Sequence, residues 1–193
     1  MNVYILAGGK SSRLNNICKA FLKIKEKYLI DILIEKLDPQ FKNVYIVTKE
    51  IYKKRYSGYK NVIGEKTDIY SSLSGIFTAL SHTKERWNFI IGVDMPGVKP
   101  ELIKKMTEYR KGVEIIVPIV RGYPEPLFAF YNKSILNYIK KLIEKKEFKI
   151  QNLYKNAKVA YIEEEIVRKY DPFLESFINI NTWEDYKKAR KLL

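Results

Sequence analysis

Cysteine and histidine are almost missing from this chain: Cys18 and His82 are the single examples in 193 residues. No disulfide can close within it, as suits a reducing cytoplasm. A zinc site built from Cys and His lacks its ligands. Cys–His nucleophilic catalysis lacks a base near Cys18. His82, in a Ser-His-Thr stretch that ends a helical pattern, reads as solvated. Long apolar runs are missing too. Phe89-Ile90-Ile91-Gly92-Val93 is typical of those present, whereas a membrane-spanning helix needs about 20 apolar residues. No basic stretch leading into an apolar one is seen at the N-terminus, so no secretion signal is expected. Arginine is scarce, at 7 against 29 lysines. The net charge of +14 is therefore mostly lysine, much of it at solvent-facing helical spacing, as in Lys104-Lys105, Lys140-Lys141 and Lys187-Lys188. Arginine is the residue favoured where phosphates are read bidentately. No basic tract with interleaved aromatics and no common nucleic-acid motif is found. Neither nucleic acid nor membrane is expected as the main partner.

What is present is an alternation of short apolar runs and helical patterns. Strands are expected at Val3–Leu6, Val44–Thr48, Asn61–Ile63, Phe89–Val93, Glu114–Val117, Leu127–Tyr131, Val159–Ile162 and Phe177–Ile180. Helices are expected at Tyr28–Leu37, at Leu73–Leu80 behind the cap candidates Ser71-Ser72, at Lys99–Arg110 and at Ser134–Lys145. The last helix opens on Thr182-Trp183-Glu184-Asp185, a capping box with Asp in place of Glu. Gly122–Pro126 reads as a loop, and Lys145–Tyr154 as a short helix at most. Such alternation predicts an α/β fold, a mostly parallel sheet with helices on both faces. At 193 residues one domain, 1–193, is expected.

In such a sheet ligands sit outside the carboxyl ends of the strands. The first strand runs into Ala7-Gly8-Gly9-Lys10-Ser11-Ser12-Arg13. A Walker A loop would need Gly at position 4, which is Tyr4, and the dinucleotide fingerprint fails because Gly8 and Gly9 are adjacent. Two glycines and a following arginine still suit a phosphate cradle of another kind; an ordinary strand-to-helix turn is the plainer alternative. Lys19, six residues beyond Arg13, can reach phosphates held there or be a surface lysine. Asp94 ends a buried run in GVDMPGVKPEL. It is placed either to hold Mg²⁺, which takes one or two carboxylates plus substrate phosphates, or to cap the turn before Pro96.

LAGGKSSRLNNICKAFL resembles the nucleotide-binding signature of the molybdenum cofactor guanylyltransferases, and more broadly of the sugar-nucleotide-type nucleotidyltransferases. SSLSGIFTAL, GVDMPGVKPEL, PEPLFAFYNKSIL and FININTWEDY extend the likeness in the family's order over nearly the whole chain, and FININT is the narrowest of these signals. The resemblance implies a single Rossmann-like domain, a nucleotide-binding part at about 1–100 and an acceptor-binding part at about 101–193. It implies transfer of GMP from Mg-GTP to molybdopterin cofactor, with release of pyrophosphate. Leu6, Ala7, Gly8 and Gly9 would bind the guanine nucleotide, Arg13 and Lys19 its triphosphate, and Asp94 the Mg²⁺. Either Glu65 or Asp68 would supply the polar nucleotide contact that precedes the second motif. Lys149, Asn179 and Asn181 would face the acceptor. Asn179 and Asn181, two apart in an expected strand, would point to one side.

The sequence departs from the family pattern at Leu14, Asn15, Ser71-Ser72 and Trp183, none of which removes a charge the mechanism needs. The partners implied are GTP and the pterin cofactor, with transient contacts to other proteins of that pathway. A cytoplasmic monomer or weak homo-oligomer is expected. A related enzyme using CTP or another phosphorylated acceptor, and a non-catalytic nucleotide-binding protein on the same fold, are the competing readings.

Overall fold

Alternation along the strands sets the two sides of the molecule. In β1 (Asn2–Leu6) Val3 and Ile5 face one apolar cluster while Tyr4 and Leu6 face another. The computed structural model describes residues 1–9, 17–67 and 69–192. The hairpin β2 (Lys23–Ile24) and β3 (Lys27–Tyr28) leads into α1 (Leu29–Leu37), β4 (Val44–Lys49) and β5 (Val62–Glu65). Next come α2 (Ser72–His82), β6 (Trp87–Gly92), α3 (Pro100–Met106) and β7 (Ile115–Val120). After the two-residue β8 (Tyr123–Pro124), β9 (Phe128–Asn132) precedes α4 (Leu136–Glu144) and α5 (Gln151–Tyr154). β10 (Val159–Ile162), α6 (Glu164–Tyr170) and α7 (Trp183–Leu192) complete the described elements.

The main sheet runs β10-β7-β9-β6-β1-β4-β5, with β8 hairpinned onto β7. β1 pairs parallel with both β4 and β6, β4 with β5, and β10 with β7; β9 is antiparallel to both its neighbours. The expected mostly parallel sheet is therefore observed. α1, α3 and α6 bury Leu33, Met106 and Val167 on the Val3/Ile5 side. α2, α4 and α5 bury Ile76, Ile139 and Leu153 on the other. Both faces are covered, as a parallel sheet of continuous apolar strands requires. The chain leaves β1 toward β4 on one side and reaches β6 on the other, so the strand order reverses at β1. The crevice at such a switch point is where α/β sheets bind ligands.

One expected strand is not formed. Phe177–Ile180 does not pair into the sheet. Glu175–Phe177 is a single 3₁₀ turn, entered through Leu174 at φ 54°. The buried Asp171 carboxylate accepts the N–H groups of Glu175 and Ser176 at 2.9 and 2.8 Å, which closes that turn. Beyond it the Ile180 N–H donates to the Asp94 carbonyl at 3.0 Å rather than to a strand. The apolar side chains are buried all the same: Phe177 packs on Phe128, and Ile180 joins Leu22, Ile24, Leu29 and Ala189 in a third, smaller cluster that docks α7 on the hairpin. Hydrophobicity here reports burial and not sheet pairing.

Candidate functional site

The ends of β1, β4, β5 and β6 surround a cavity of about 500 Å³. Leu6, Ala7, Gly8 and Gly9 line it, as do Lys19, Glu65, Asp94 and Asn181. Eight of the residues expected from sequence thus meet at one place. Arg13 and Asp68 lie outside the described residues. Asn179 and the exposed Lys149 are not among the lining residues, and residues 178–181 form no strand on which the two asparagines could share a face.

Backbone pairing fixes the cradle. Ala7 N–H donates to the Val47 carbonyl at 2.8 Å, and Val93 N–H to the Leu6 carbonyl at 3.1 Å. Leu6 and Ala7 are thereby held between β4 and β6. Behind them the Tyr56 hydroxyl bridges the Cys18 thiol, at 3.3 Å, and the Ala7 carbonyl, at 3.5 Å. Burial pushes that phenol up, and the Cys18 contact adds to it. Cys18 is thus a packing thiol beside the cradle. His82, exposed at the end of α2, contacts the Tyr4 hydroxyl at 3.2 Å.

Asp94 follows the end of β6, and its carboxylate folds back over Gly92. A side-chain carbon on Gly92 would stand 2.5 Å from Asp94 Oδ1. Asp94 Oδ2 accepts from Lys19 Nζ at 2.8 Å, and the same nitrogen donates to Asn181 Oδ1 at 2.6 Å. Two hard oxygen donors therefore already converge on one cation. That is the donor chemistry Mg²⁺ uses, its remaining positions going to phosphates and water. Outside the lining, burial pushes the carboxyl of Glu125, in the loop between β8 and β9, above its usual value, and Asp94 adds to that against Arg121. Among the described residues no helix is long and apolar enough to cross a membrane.

Asn181 is aimed by the start of α7. Asp185 Oδ2 accepts the N–H groups of Asn181 and Thr182 at 3.1 and 2.8 Å, and Asp185 N–H returns to Thr182 Oγ1 at 3.1 Å. This is the reciprocal capping box expected from Thr182-Trp183-Glu184-Asp185. Against the opposing effect of its partial burial, the Thr182 hydroxyl and these N–H groups hold the Asp185 carboxyl below its usual value.

The sequence reading missed Lys49, Tyr70 and Leu127 in the lining. Lys49 had a usable signal, a charged residue closing the apolar run of β4. Tyr70 had none. At the other end of the cavity Lys49 pairs with Glu65 at 2.9 Å, both nearly buried. The Ser74 hydroxyl donates to the same carboxylate, while the Ser71 hydroxyl caps α2 by accepting the Ser74 N–H at 3.1 Å.

Comparison with known proteins fits this geometry. Residues 3–160 match the model of the MobA-like NTP transferase domain. A probable molybdenum cofactor guanylyltransferase of Natranaerobius thermophilus is 39% identical, with 100% of this chain and 96% of the relative covered. A molybdenum cofactor guanylyltransferase of Campylobacter jejuni is 31% identical over 100% of this chain and 97% of its own. The crystal structure of molybdopterin-guanine dinucleotide biosynthesis protein A from Archaeoglobus fulgidus superposes with a TM-score of 0.88 at 30% identity, covering 100% and 98% of the two chains. With its cradle, lysine and strand-end aspartate in one crevice, the chain belongs to the MobA-like NTP transferase family and is a nucleotidyltransferase.

Proposed function

We propose that this protein transfers GMP from Mg-GTP to the molybdopterin form of the molybdenum cofactor. One observation carries the reading: Lys19, Asp94 and the Leu6–Gly9 cradle open on one cavity in a chain that matches named guanylyltransferases over its full length. A phosphate oxygen of the acceptor attacks the α-phosphorus of GTP. The bond from that phosphorus to the bridging oxygen breaks, and pyrophosphate leaves with the electron pair. The attacking phosphate is already anionic, so no strong base is needed, and catalysis is positioning plus charge neutralisation. Cradle N–H groups and Lys19, with Arg13, offset the charge that gathers on the leaving group. Asp94, with Asn181 beside it, would hold Mg²⁺, which supplies Lewis-acid neutralisation of phosphate charge. Residues 1–100 would carry the nucleotide side, while Lys149, Asn179 and Asn181 of the later part would serve the acceptor. A lone thiol and a nucleoside triphosphate substrate both suit the cytoplasm.

Pyrophosphate release with purified molybdopterin and each of GTP, CTP, ATP and UTP tests this. Mg-dependent release with GTP in clear excess over the others is expected. Preference for CTP, or turnover only with another acceptor, would replace the substrate assignment. GTP binding with no release would make the protein a binding module. Asp94→Asn, which keeps shape and loses charge, should fold normally and lose most Mg-dependent turnover; full activity at limiting Mg²⁺ would remove the metal role of Asp94.

A further inference from the structure

A lysine in a phosphate-binding cavity invites one assignment, a phosphate ligand. Lys49 has the wrong geometry for it. The residue closes β4 and is 4% exposed. Its ammonium has three protons to donate, and three acceptors take them: Glu65 Oε1 at 2.9 Å, the Thr67 carbonyl at 2.9 Å and the Ile69 carbonyl. A bond to phosphate would cost one of these. The same nitrogen lies 4.8 Å from the centroid of the Tyr70 ring. One buried cation thus ties the ends of β4 and β5 to the backbone that enters α2.

What Lys49 holds faces the cavity. Glu65 Oε1 takes both Lys49 and the Ser74 hydroxyl. Glu65 Oε2 is turned toward Gly8, 3.8 Å from where a side-chain carbon on that glycine would stand. Tyr70, at 41% exposure, lines the cavity together with Glu65 and Gly8. A carboxylate facing a polyanion repels it unless neutralised, and Lys49 is the cation paired with it. A nucleoside offers N–H and hydroxyl donors to a carboxylate and a π face to a phenol ring. The phosphates belong at the other end of the cavity, with Lys19 and Asp94.

We propose that Lys49 is a positioning residue for nucleotide binding. It neutralises Glu65 and sets that carboxylate and the Tyr70 ring against the bound nucleoside, without touching the nucleotide itself. This rests on the guanine-nucleotide reading above.

Calorimetric titration of GDP into the wild-type chain, Lys49→Met, Lys49→Arg and Tyr70→Ala tests it, with melting temperatures and steady-state kinetics alongside. Lys49→Met should lose GDP affinity by about tenfold or more. Its KM for GTP should rise in step while kcat at saturating GTP stays within about threefold of wild type. Lys49→Arg, which keeps the charge and its donors, should recover most of the affinity. Tyr70→Ala, at a half-exposed site, should melt like wild type and lose affinity by about fivefold or more. A folded Lys49→Met variant with wild-type affinity, or one with lower kcat and unchanged KM, would overturn the proposal. Should Lys49→Met not fold, Tyr70→Ala decides alone: weakened GDP binding upholds the positioned wall, and unchanged binding overturns it. Wild-type protein with no affinity for GDP would overturn the guanine-nucleotide reading, and this proposal with it.

Discussion

Replacing Lys19 by Met removes the ammonium that Asp94 and Asn181 share. At 2.8 Å, two unit charges in an effective dielectric of about 20 attract by about 6 kcal/mol. The side chains keep 17% and 20% of their exposure. Screening and the desolvation of both ions therefore take back most of that, leaving about 1–2 kcal/mol. Without nucleotide, Lys19→Met should melt about 2–8 °C below wild type. The sharper readout is metal binding. In the wild-type chain the pair must open before Asp94 can accept an ion, and 1–2 kcal/mol corresponds to about a 5–30-fold loss of affinity. Mn²⁺ titration followed by electron paramagnetic resonance should thus find nucleotide-free Lys19→Met binding the ion about 5–30-fold tighter than wild type. The same variant should lose kcat by about 10²–10³, because the leaving pyrophosphate has lost its lysine. A variant that binds Mn²⁺ no better than wild type would refute the idea that Lys19 occupies the cation's place. A variant that raises only the KM for GTP would make Lys19 a ground-state contact.

Three further outcomes follow from the same geometry. Gly92→Ala puts a carbon 2.5 Å from Asp94 Oδ1; the carboxylate can rotate away, so the melting temperature should hold while pyrophosphate release falls by about tenfold or more, and wild-type turnover would count against this placement of Asp94. The Asp185 carboxyl is held below its ordinary value by the capping box. Its contribution is therefore fully present above the unfolded-state pKa of about 3.9 and is lost as the pH falls through the lower folded-state value. Asp185→Asn should cost about 0.5–1 kcal/mol at pH 7, and the gap between the two melting curves should close below about pH 4; a gap that persists unchanged in acid would show that shape and not charge makes the cap. Asn179→Ala should alter acceptor affinity alone, whereas Asn181→Ala, which removes a partner of Lys19, should alter GTP binding as well; equal effects of the two on both ligands, by titration, would contradict the separation seen between them.

The sequence alone determined the alternating architecture, because strands buried on both faces must read as short apolar runs and the helices between them must show one apolar side. It also pointed to the candidate cradle: Gly8, Gly9 and Asp94 lie just past strand ends, and strand ends of a doubly wound sheet converge on one edge, whereas Lys19 opens a 3₁₀ turn that only the fold brings to that edge. The capping box at Thr182–Asp185 was legible for a similar reason, since the Thr182 and Asp185 side chains bond to each other and to the backbone beside them. The hairpin at Lys23–Tyr28 was not, because its turn places Lys25 and Glu26 at positive φ without the Gly or Asn that would announce it. Nor was the conformation of Phe177–Ile180. An apolar run states that it is buried but not what takes its N–H groups, and here the Leu174, Glu175 and Asp94 carbonyls accept those of Phe177, Ile178 and Ile180. Only the tertiary structure could bring Asn181 to Lys19 across 162 residues of chain, or show that Lys49 spends its three donors on Glu65 and two carbonyls. A lone lysine in a sequence carries a charge. Which anion neutralises that charge depends on elements that meet only when the sheet has formed.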